Sequence, residues 1–440
     1  MLLPAFGKHA GQTVTFSGIR PNLLEVMSME VIIPNCAGLD VHKETVEVAA
    51  RWVDSDGSDH VEVRKYGTFT RQLLELADWL KELGVTHVAM ESTGVFWKPI
   101  YNILEAGFQV LLVNARHVKN VPGRKTDVKD CQWLAQLLQH GLLRGSFIPP
   151  REQRELRDLT RHRSQLVSEK ARTANRIQKT LEDANIKLAS VASAVLGVSG
   201  REMLAALVAG ETDVGKLSEL ARGRLASRKD DLKQALTGQV SEHHRFMLQI
   251  LLDQLAEVEG LIARLESRIE EKCRPFEAVV EVLDEVPGIN RHVAYVLLAE
   301  IGTDLSHFPD AAHLCSWASM CPGNNESAGK RKSSRTAKGN RWLRATLIQA
   351  AHGASRTKRS YFSAQYRNIL RRRGKKRALV AVGHSLLVIY YHLLSTGECY
   401  QDLGRDFFDK QNSKQITRAL VKRLERLGNK VTLEPAQQAA

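Results

Sequence analysis

The sequence predicts an α/β domain followed by a mainly helical remainder, and three observations carry that expectation. Between residues 35 and 114, short apolar or alternating runs come first in succession and then alternate with helical stretches. After Pro149-Pro150 the composition shifts to Leu, Glu, Arg, Lys and Gln with few glycines. From Phe276 onward, glycine and proline return between shorter helical patterns. A chain of 440 residues exceeds one compact core. The expected division is an extension without periodicity and poorly ordered over 1–30, an α/β domain over 31–150, a helical coiled-coil spacer over 151–275, a helical domain over 276–400, and a basic C-terminal helix and tail over 401–440.

In the first domain, NCAGLDV (35–41) and ETVEVAARW (44–52) read as strands, and HVEVRKYG from His60 as a third. TRQLLELADWLKELG (70–84) carries apolar residues at helical spacing and stops at Gly84. THVAME (86–91) reads as a short buried strand. A helix is expected near 97–106, a strand at QVLLVN (109–114), and another helix from about Thr126. A meander passing into strand–helix alternation implies a mixed sheet with helices on its faces. Beyond it, 151–185 and about 240–272 are expected to form two long antiparallel helices, with shorter ones near 201–209 and 229–237. The stretch VLDEVPGINRHVAYVLLAEIG reads as helix, Pro-Gly turn, helix, a helix-hairpin-helix-like element whose turn amides can face a phosphate. Helical patterns resume at 342–352, 378–396 and 411–427.

Lys and Arg number 63 against 49 Asp and Glu, a net charge of +14, which points to a polyanionic partner. The six cysteines are scattered without a CxxC pair, so neither a zinc site nor a disulfide framework is suggested. The N-terminus lacks the pattern of a signal peptide. No stretch approaches the roughly 20 apolar residues of a membrane span, so a cytoplasmic protein is expected.

Two groups of residues carry candidate chemistry. Asp40 and Glu91 each end an apolar strand, and neighbouring strands lie about 4.8 Å apart. Asp127 and Asp130 are three apart in KTDVKDCQWLAQLL, a spacing that on a helix puts both on one face. Clustered carboxylates repel unless a cation neutralises them, and hard oxygen donors suit Mg²⁺ or Mn²⁺, which serve phosphoryl transfer. Any one of these acids could equally be a solvated strand end, and Asp127 a helix first-turn acid favoured by the dipole. The second group lies between Pro322 and Arg377, where 17 cations face one acid, Glu326. Lys330, Arg331, Lys332, Arg335, Lys338, Arg341 and Arg344 are the candidate contacts to nucleic-acid phosphates. Trp342, Tyr361, Phe362 and Tyr366 interleave with them; burial is favoured for Trp342. Ser327 sits among these cations in the loop NNESAGK. A serine there can attack phosphorus, although composition alone leaves Ser333 and Ser334 as rivals.

AGLDVHKETV, AMESTGVFW and GRKTDVKDCQWLAQLL together resemble the DEDD-type insertion-sequence transposases. VPGI and the block ASMCPGNNESAGKRKSSRTAKGNRWLR resemble the same family's C-terminal transposase domain, in its eleven-eleven more than its one-ten subgroup. The resemblance runs from about Asn35 to Cys399. It implies a RuvC-like (RNase H-like) first domain, with Asp40, Glu91, Asp127 and Asp130 as metal-binding catalytic acids and Ser327 as a covalent nucleophile. It also implies oligomers acting on donor and target DNA, guided by a structured non-coding bridge RNA. Ala328 stands where the founding group commonly has glycine. Competing expectations are a metal-dependent nuclease resembling Holliday-junction resolvases, which needs the acids and no serine, and a non-enzymatic nucleic-acid-binding protein.

Overall fold

The computed structural model describes residues 30–434 other than 55, 93, 116, 117, 119–128, 324, 328, 334, 337, 338 and 412. The expected extension over 1–30 lies, except for Glu30, outside the described residues. The chain divides into two compact units, one ending at Ile148 and the other beginning at Pro149.

The first unit is a five-stranded mixed sheet. β1 (Cys36–Val41), β2 (Thr45–Val53) and β3 (Asp59–Gly67) form an antiparallel meander, with Asp40 opposite Glu47 and Ala49 opposite Val63. Helix α1 (Thr70–Glu82) leads to β4 (His87–Glu91), and α2 (Trp97–Leu104) to β5 (Gln109–Val113); both strands run parallel to β1. The strand order is β3-β2-β1-β4-β5. Side chains alternate faces along each strand. Ala37, Leu39, Val41, Val88 and Met90 therefore pack with Leu73, Leu76 and Leu80 of α1 and with Ile100 and Leu104 of α2.

The opposite face is covered by α3 (Asp130–Gln139), and small residues let it come close. Ala49 packs with Cys131 and Ala135, and Cys36 and Ala89 pack with Leu138. Gly38 is required at the closest point. A Cβ built there would lie 2.2 Å from the Cys131 carbonyl oxygen and 2.4 Å from the Ala135 nitrogen.

Among its described residues, the regular elements of the second unit are helices apart from one short hairpin. α4 (Arg151–Asp183) and α9 (Glu242–Cys273) form the expected antiparallel pair. Their ion pairs show the direction, since Glu155 meets Lys272, Arg163 meets Glu266 and Lys170 meets Glu259, one number falling as the other rises. At the far end of the pair, α5 (Leu188–Val191), α6 (Val198–Val208), α7 (Val214–Glu219) and α8 (Lys229–Leu236) close a cluster around Ile177, Leu181, Leu248, Leu251 and Leu255.

At the near end, α10 (Glu277–Asp284), α11 (Arg291–Glu300), α12 (Ala311–Trp317), α13 (Arg341–Arg356), α14 (Tyr361–Arg373) and α15 (Lys375–Thr396) share a larger core, and Leu156, Ile269 and Cys273 join it from the long pair. Helix α14 had no counterpart in the sequence reading, where 361–373 was read for its cations. The helices α16 (Phe407–Gln411) and α17 (Ser413–Arg426) end the described chain. Contrary to the sequence expectation, α15 is long and apolar enough by length and composition to cross a membrane. It buries Val382, Leu386, Leu387 and Tyr390 in the core of this unit and begins with three cations, as the central helix of a packed bundle does.

Candidate active site and nucleic-acid surface

The acids of the first unit fall at one place in the sheet. β1 and β4 pair in register up to Leu39 and Met90, so the next residues, Asp40 and Glu91, end neighbouring parallel strands. By alternation, Asp40, Glu47 and Glu91 share the face that α3 covers, since Gly38, Ala49 and Ala89 on that face touch α3. Helix α3 runs against β1: Cys131 and Ala135 lie over Gly38, and Ala135 and Leu138 over Cys36. Its first residue, Asp130, therefore sits at the carboxyl-terminal end of β1, the end where Asp40 stands. Open sheets of this kind bind their ligands at that end.

Asp40 is about a quarter exposed, and His42 Nε2 lies 3.3 Å from its Oδ2. Lys129, immediately before α3, donates to Glu47 Oε2 at 3.3 Å, and Lys65 lies 3.5 Å from Oε1. The Lys129 hydrogen bond, before all other influences, holds the Glu47 carboxyl below the usual carboxylate range. Burial pushes the neighbouring Cys131 thiol up and keeps it protonated. Sequence reading passed over Glu47. The signal was present in TVEVAARW, whose alternation puts Glu47 on the same face as Ala49.

Helix α3 begins at Asp130, after Lys129 at ψ 147°. Asp127 itself lies outside the described residues. Among the described residues, no three His, Cys, Asp or Glu side chains come close enough together to hold a metal ion. The structure thus brings Asp40, Glu91 and Asp130 to one end and one face of the sheet without closing a ligand shell around them. Their donor type, hard carboxylate oxygen, is that of a divalent-cation site.

In the second unit, Ser327 lies in a strand and not in an open loop. β6 (Asn325–Ser327) and β7 (Lys330–Ser333) form a hairpin in which Ser327 pairs with Lys330 across a two-residue turn. Gly329 in that turn has φ +72°, a conformation that suits glycine. Ser333, the rival, ends the partner strand; Ser334 lies outside the described residues. For Ser327, Arg331 and Lys332 the description is of the backbone. Lys330, Arg335 and Arg341 are exposed, Arg344 donates to Thr336 Oγ1 at 2.7 Å, and Lys338 lies outside the described residues.

Trp342 is half-buried, contrary to the burial favoured for it, with the Arg341 guanidinium over its ring at 4.6 Å. Phe362 is fully buried, and Tyr361 and Tyr366 pack against the same core. A further cationic surface lies between α14 and α17, where Arg367, Arg371, Arg372 and Arg405 line a groove of about 850 Å³.

The turn between α10 and α11 spends the Ile289 amide, one of those expected to face a phosphate, within the turn itself. The Ile289 N–H donates to the Val286 carbonyl at 2.9 Å. Gly288, at φ +91°, lies so close to α13 that a Cβ would come 2.3 Å from the Ala350 carbonyl oxygen. The hairpin of helices packs inward.

One acid unnoticed in the sequence is heavily partnered in this unit. Glu300 ends α11 with no exposed surface. Arg161 holds both of its carboxylate oxygens at 2.7 Å, and Arg157 lies 3.6 Å away while donating to the Ala299 and Glu300 carbonyls. Burial pushes the Arg157 pKa down to about 10. The readable signal was a glutamate inside the apolar run VLLAEIG, since a buried charge requires a partner.

Comparison with known proteins decides the family. A transposase family profile of the DEDD type matches residues 37–186, and the profile described as transposase, IS116/IS110/IS902 family, matches residues 280–367. The chain belongs to the IS110/IS1111 family of DNA transposases. A probable family 20 transposase from Pseudomonas aeruginosa is 27% identical over 371 residues, 83% of this chain and 98% of the relative. The transposase for insertion sequence element IS1111A from Coxiella burnetii is 24% identical over 324 residues, 72% of this chain and 80% of that protein. An IS110 insertion-element protein from Streptomyces coelicolor is 29% identical over 310 residues, 64% of this chain and 73% of the relative. The matched segments bracket the features described above: the first contains all four acids, and the second contains the serine hairpin and α11. The enzyme is therefore a transposase acting on DNA, of a DEDD type that suggests dependence on a divalent metal.

Proposed function

We propose that this transposase cuts and rejoins DNA through two chemical groups: a Mg²⁺ (or Mn²⁺) site made by Asp40, Glu91, Asp127 and Asp130, and a nucleophilic Ser327. The observation that carries the first is the placement of Asp40, Glu91 and Asp130 on one face at one end of a sheet. The strand order β3-β2-β1-β4-β5, an antiparallel meander joined to parallel strands, supports a RuvC-like, RNase H-like reading of the first unit. A divalent cation bound by these acids offsets their mutual repulsion and stabilises negative charge on the scissile phosphate.

Ser327 carries the covalent step. Its Oγ attacks phosphorus, the serine–phosphate bond forms, the bond to one strand end breaks, and the departing oxygen takes up a proton. Attack by another strand's hydroxyl reverses these changes, restores a phosphodiester and frees the serine. Lys330, Arg331, Lys332, Arg335, Lys338, Arg341 and Arg344 surround this hairpin in sequence and serve the phosphates. The net charge of +14 leaves cationic surface for a structured guide RNA as well as donor and target DNA. Base pairing rather than side chains then selects the target, and the enzyme works as a homo-oligomer.

A plasmid excision assay tests the core of this reading. Asp40→Ala and Ser327→Ala are each expected to reduce excision product to background. A DNA-linked protein that survives denaturation is expected from the parent and from no Ser327→Ala preparation. Full excision by Ser327→Ala removes the serine role and leaves a metal-dependent nuclease. Sequencing the nucleic acid that co-purifies with the protein tests the guide, and a discrete structured RNA is the expected result.

A further inference from the structure

The buried Glu300 does more than satisfy two arginines. Its Oε2 also accepts a hydrogen bond from Asn340 Nδ2 at 2.6 Å. Asn340 in turn uses its Oδ1 to cap α13, accepting from Trp342 N at 3.0 Å and Leu343 N at 3.2 Å. One amide side chain therefore joins three elements: α4 through Arg157 and Arg161, α11 through Glu300, and α13 through its own cap.

Asn340 also ends the excursion of chain that carries the serine hairpin. That excursion leaves the core after Met320, which is buried, and returns at Gly339 and Asn340. Its two legs meet where the Gly323 N–H donates to the Arg335 carbonyl at 3.2 Å. The returning leg is seated by close backbone approach, since a Cβ on Gly339 would lie 2.3 Å from Ser319 Oγ. Arg344, one turn into α13, holds Thr336 of the same leg. The foot of the hairpin is thus fixed to the start of α13, and the start of α13 is fixed to a buried carboxylate that belongs to α11 and is held by the long helix α4.

We infer that Glu300 is a positioning residue for the serine hairpin. Through Asn340 it registers the foot of the hairpin against the long helix pair. The charge of Glu300 matters here because a buried carboxylate without its partners is costly, so the network has one low-energy arrangement and little tolerance for sliding. This inference rests on Ser327 being the nucleophile only for its catalytic consequence; the anchoring itself is independent of that reading.

The discriminating variant is Asn340→Ser in the full-length protein. Serine retains a side-chain oxygen to cap α13 and lacks the amide that reaches Glu300. Hydrogen exchange is read at the amides of 325–333 and separately at Trp342 and Leu343, alongside excision. The expected result is faster exchange in the hairpin, near-parental protection at the start of α13, and excision lowered on the order of tenfold to a hundredfold, the scale of a displaced reacting group. Glu300→Gln, which keeps volume and an acceptor for Asn340 but removes the charge that Arg161 holds, is expected to give the same hairpin signature. Parental hairpin exchange with parental excision overturns the inference. So does loss of protection at Trp342 and Leu343 together with the hairpin, because that is ordinary unfolding of α13. If Ser327→Ala remains active while Asn340→Ser still loosens the hairpin, the nucleophile assignment falls and the anchoring stands.

Discussion

Asp40 and Glu300 are both carboxylates at the ends of regular elements, yet their surroundings differ in kind. Asp40 stands at a strand end, partly exposed, with His42 beside it and Glu47 directly across the strand pair. Glu300 is sealed from solvent and met by two guanidinium groups and an amide. Asp40 keeps access to solvent, and so to a ligand, whereas the charge of Glu300 is met by partners inside the fold. Burying charge without compensation is expensive, so the sealed carboxylate depends on its partners for a fixed geometry, while a solvent-accessible one at a strand end remains available to a ligand.

If that contrast is right, replacing the two acids separates activity from stability. Asp40→Asn is expected to abolish excision while leaving the thermal unfolding midpoint within a few degrees of the parent or slightly above it. A calorimetric scan showing a large downward shift would erase the difference between the sites. The opposite profile is expected for Arg161→Leu, which leaves Glu300 buried against a weaker set of partners. Loss of one partner from a buried pair typically costs about 3–5 kcal/mol, read here as an earlier denaturant midpoint.

A divalent cation sharpens the comparison from the other side. A hundredfold excess of Mn²⁺ over its dissociation constant stabilises a folded unit by about 2.7 kcal/mol. Such stabilisation is expected in the parent, is expected to disappear in Asp40→Asn, and is expected to persist in Asn340→Ser. The contact that seats α3 has a smaller expected effect. Gly38→Ala forces the Cys131 and Ala135 backbone away, an overpacking cost of about 1–3 kcal/mol, and displaces Asp130 with its helix. Chemical denaturation and excision are both expected to register it.

The effect that is smallest near neutral pH is a pH dependence in the second unit. Burial first, and the Arg163 guanidinium beside it second, hold the His292 pKa down to about 4 from an ordinary 6.5. Between those values the unfolded chain binds a proton that the folded chain does not, so this contribution to stability is present above pH 6.5 and is lost as pH falls toward 4. The unfolding midpoint of His292→Gln is expected to be flatter across that window.

Much of the sheet was legible because burial imposes a two-residue alternation on its strands, and Asp40 and Glu91 were found by their place at strand ends. The long helices were legible because apolar spacing and opposite charges persist over many turns. What escaped depended on single torsions or on distant partners. The extended ψ of Lys129, which fixes the start of α3 at Asp130, leaves no compositional trace. The hairpin around Ser327 was signalled by the glycine of SAGK, but the cations around it drew a loop reading instead. The link between Glu300 and Asn340 joins residues 40 apart and is visible only once α11 and α13 are packed together. The Pro-Gly turn was recognised correctly as a turn, and its glycine proved to serve contact with α13.

The long helix pair gives the buried carboxylate a mechanical meaning. Arg157 and Arg161 lie near the base of α4, and from there the helix continues for roughly 40 Å at the 1.5 Å rise of an α-helix. A rotation of about 5° at that base moves the far end by about 3.5 Å over this length. The same leverage acts in reverse: a modest displacement imposed on the distant cluster of short helices is reduced to a fraction of an ångström by the time it reaches Glu300. Glu300 thus holds the base of a long arm, at the place where a given rotation moves atoms least.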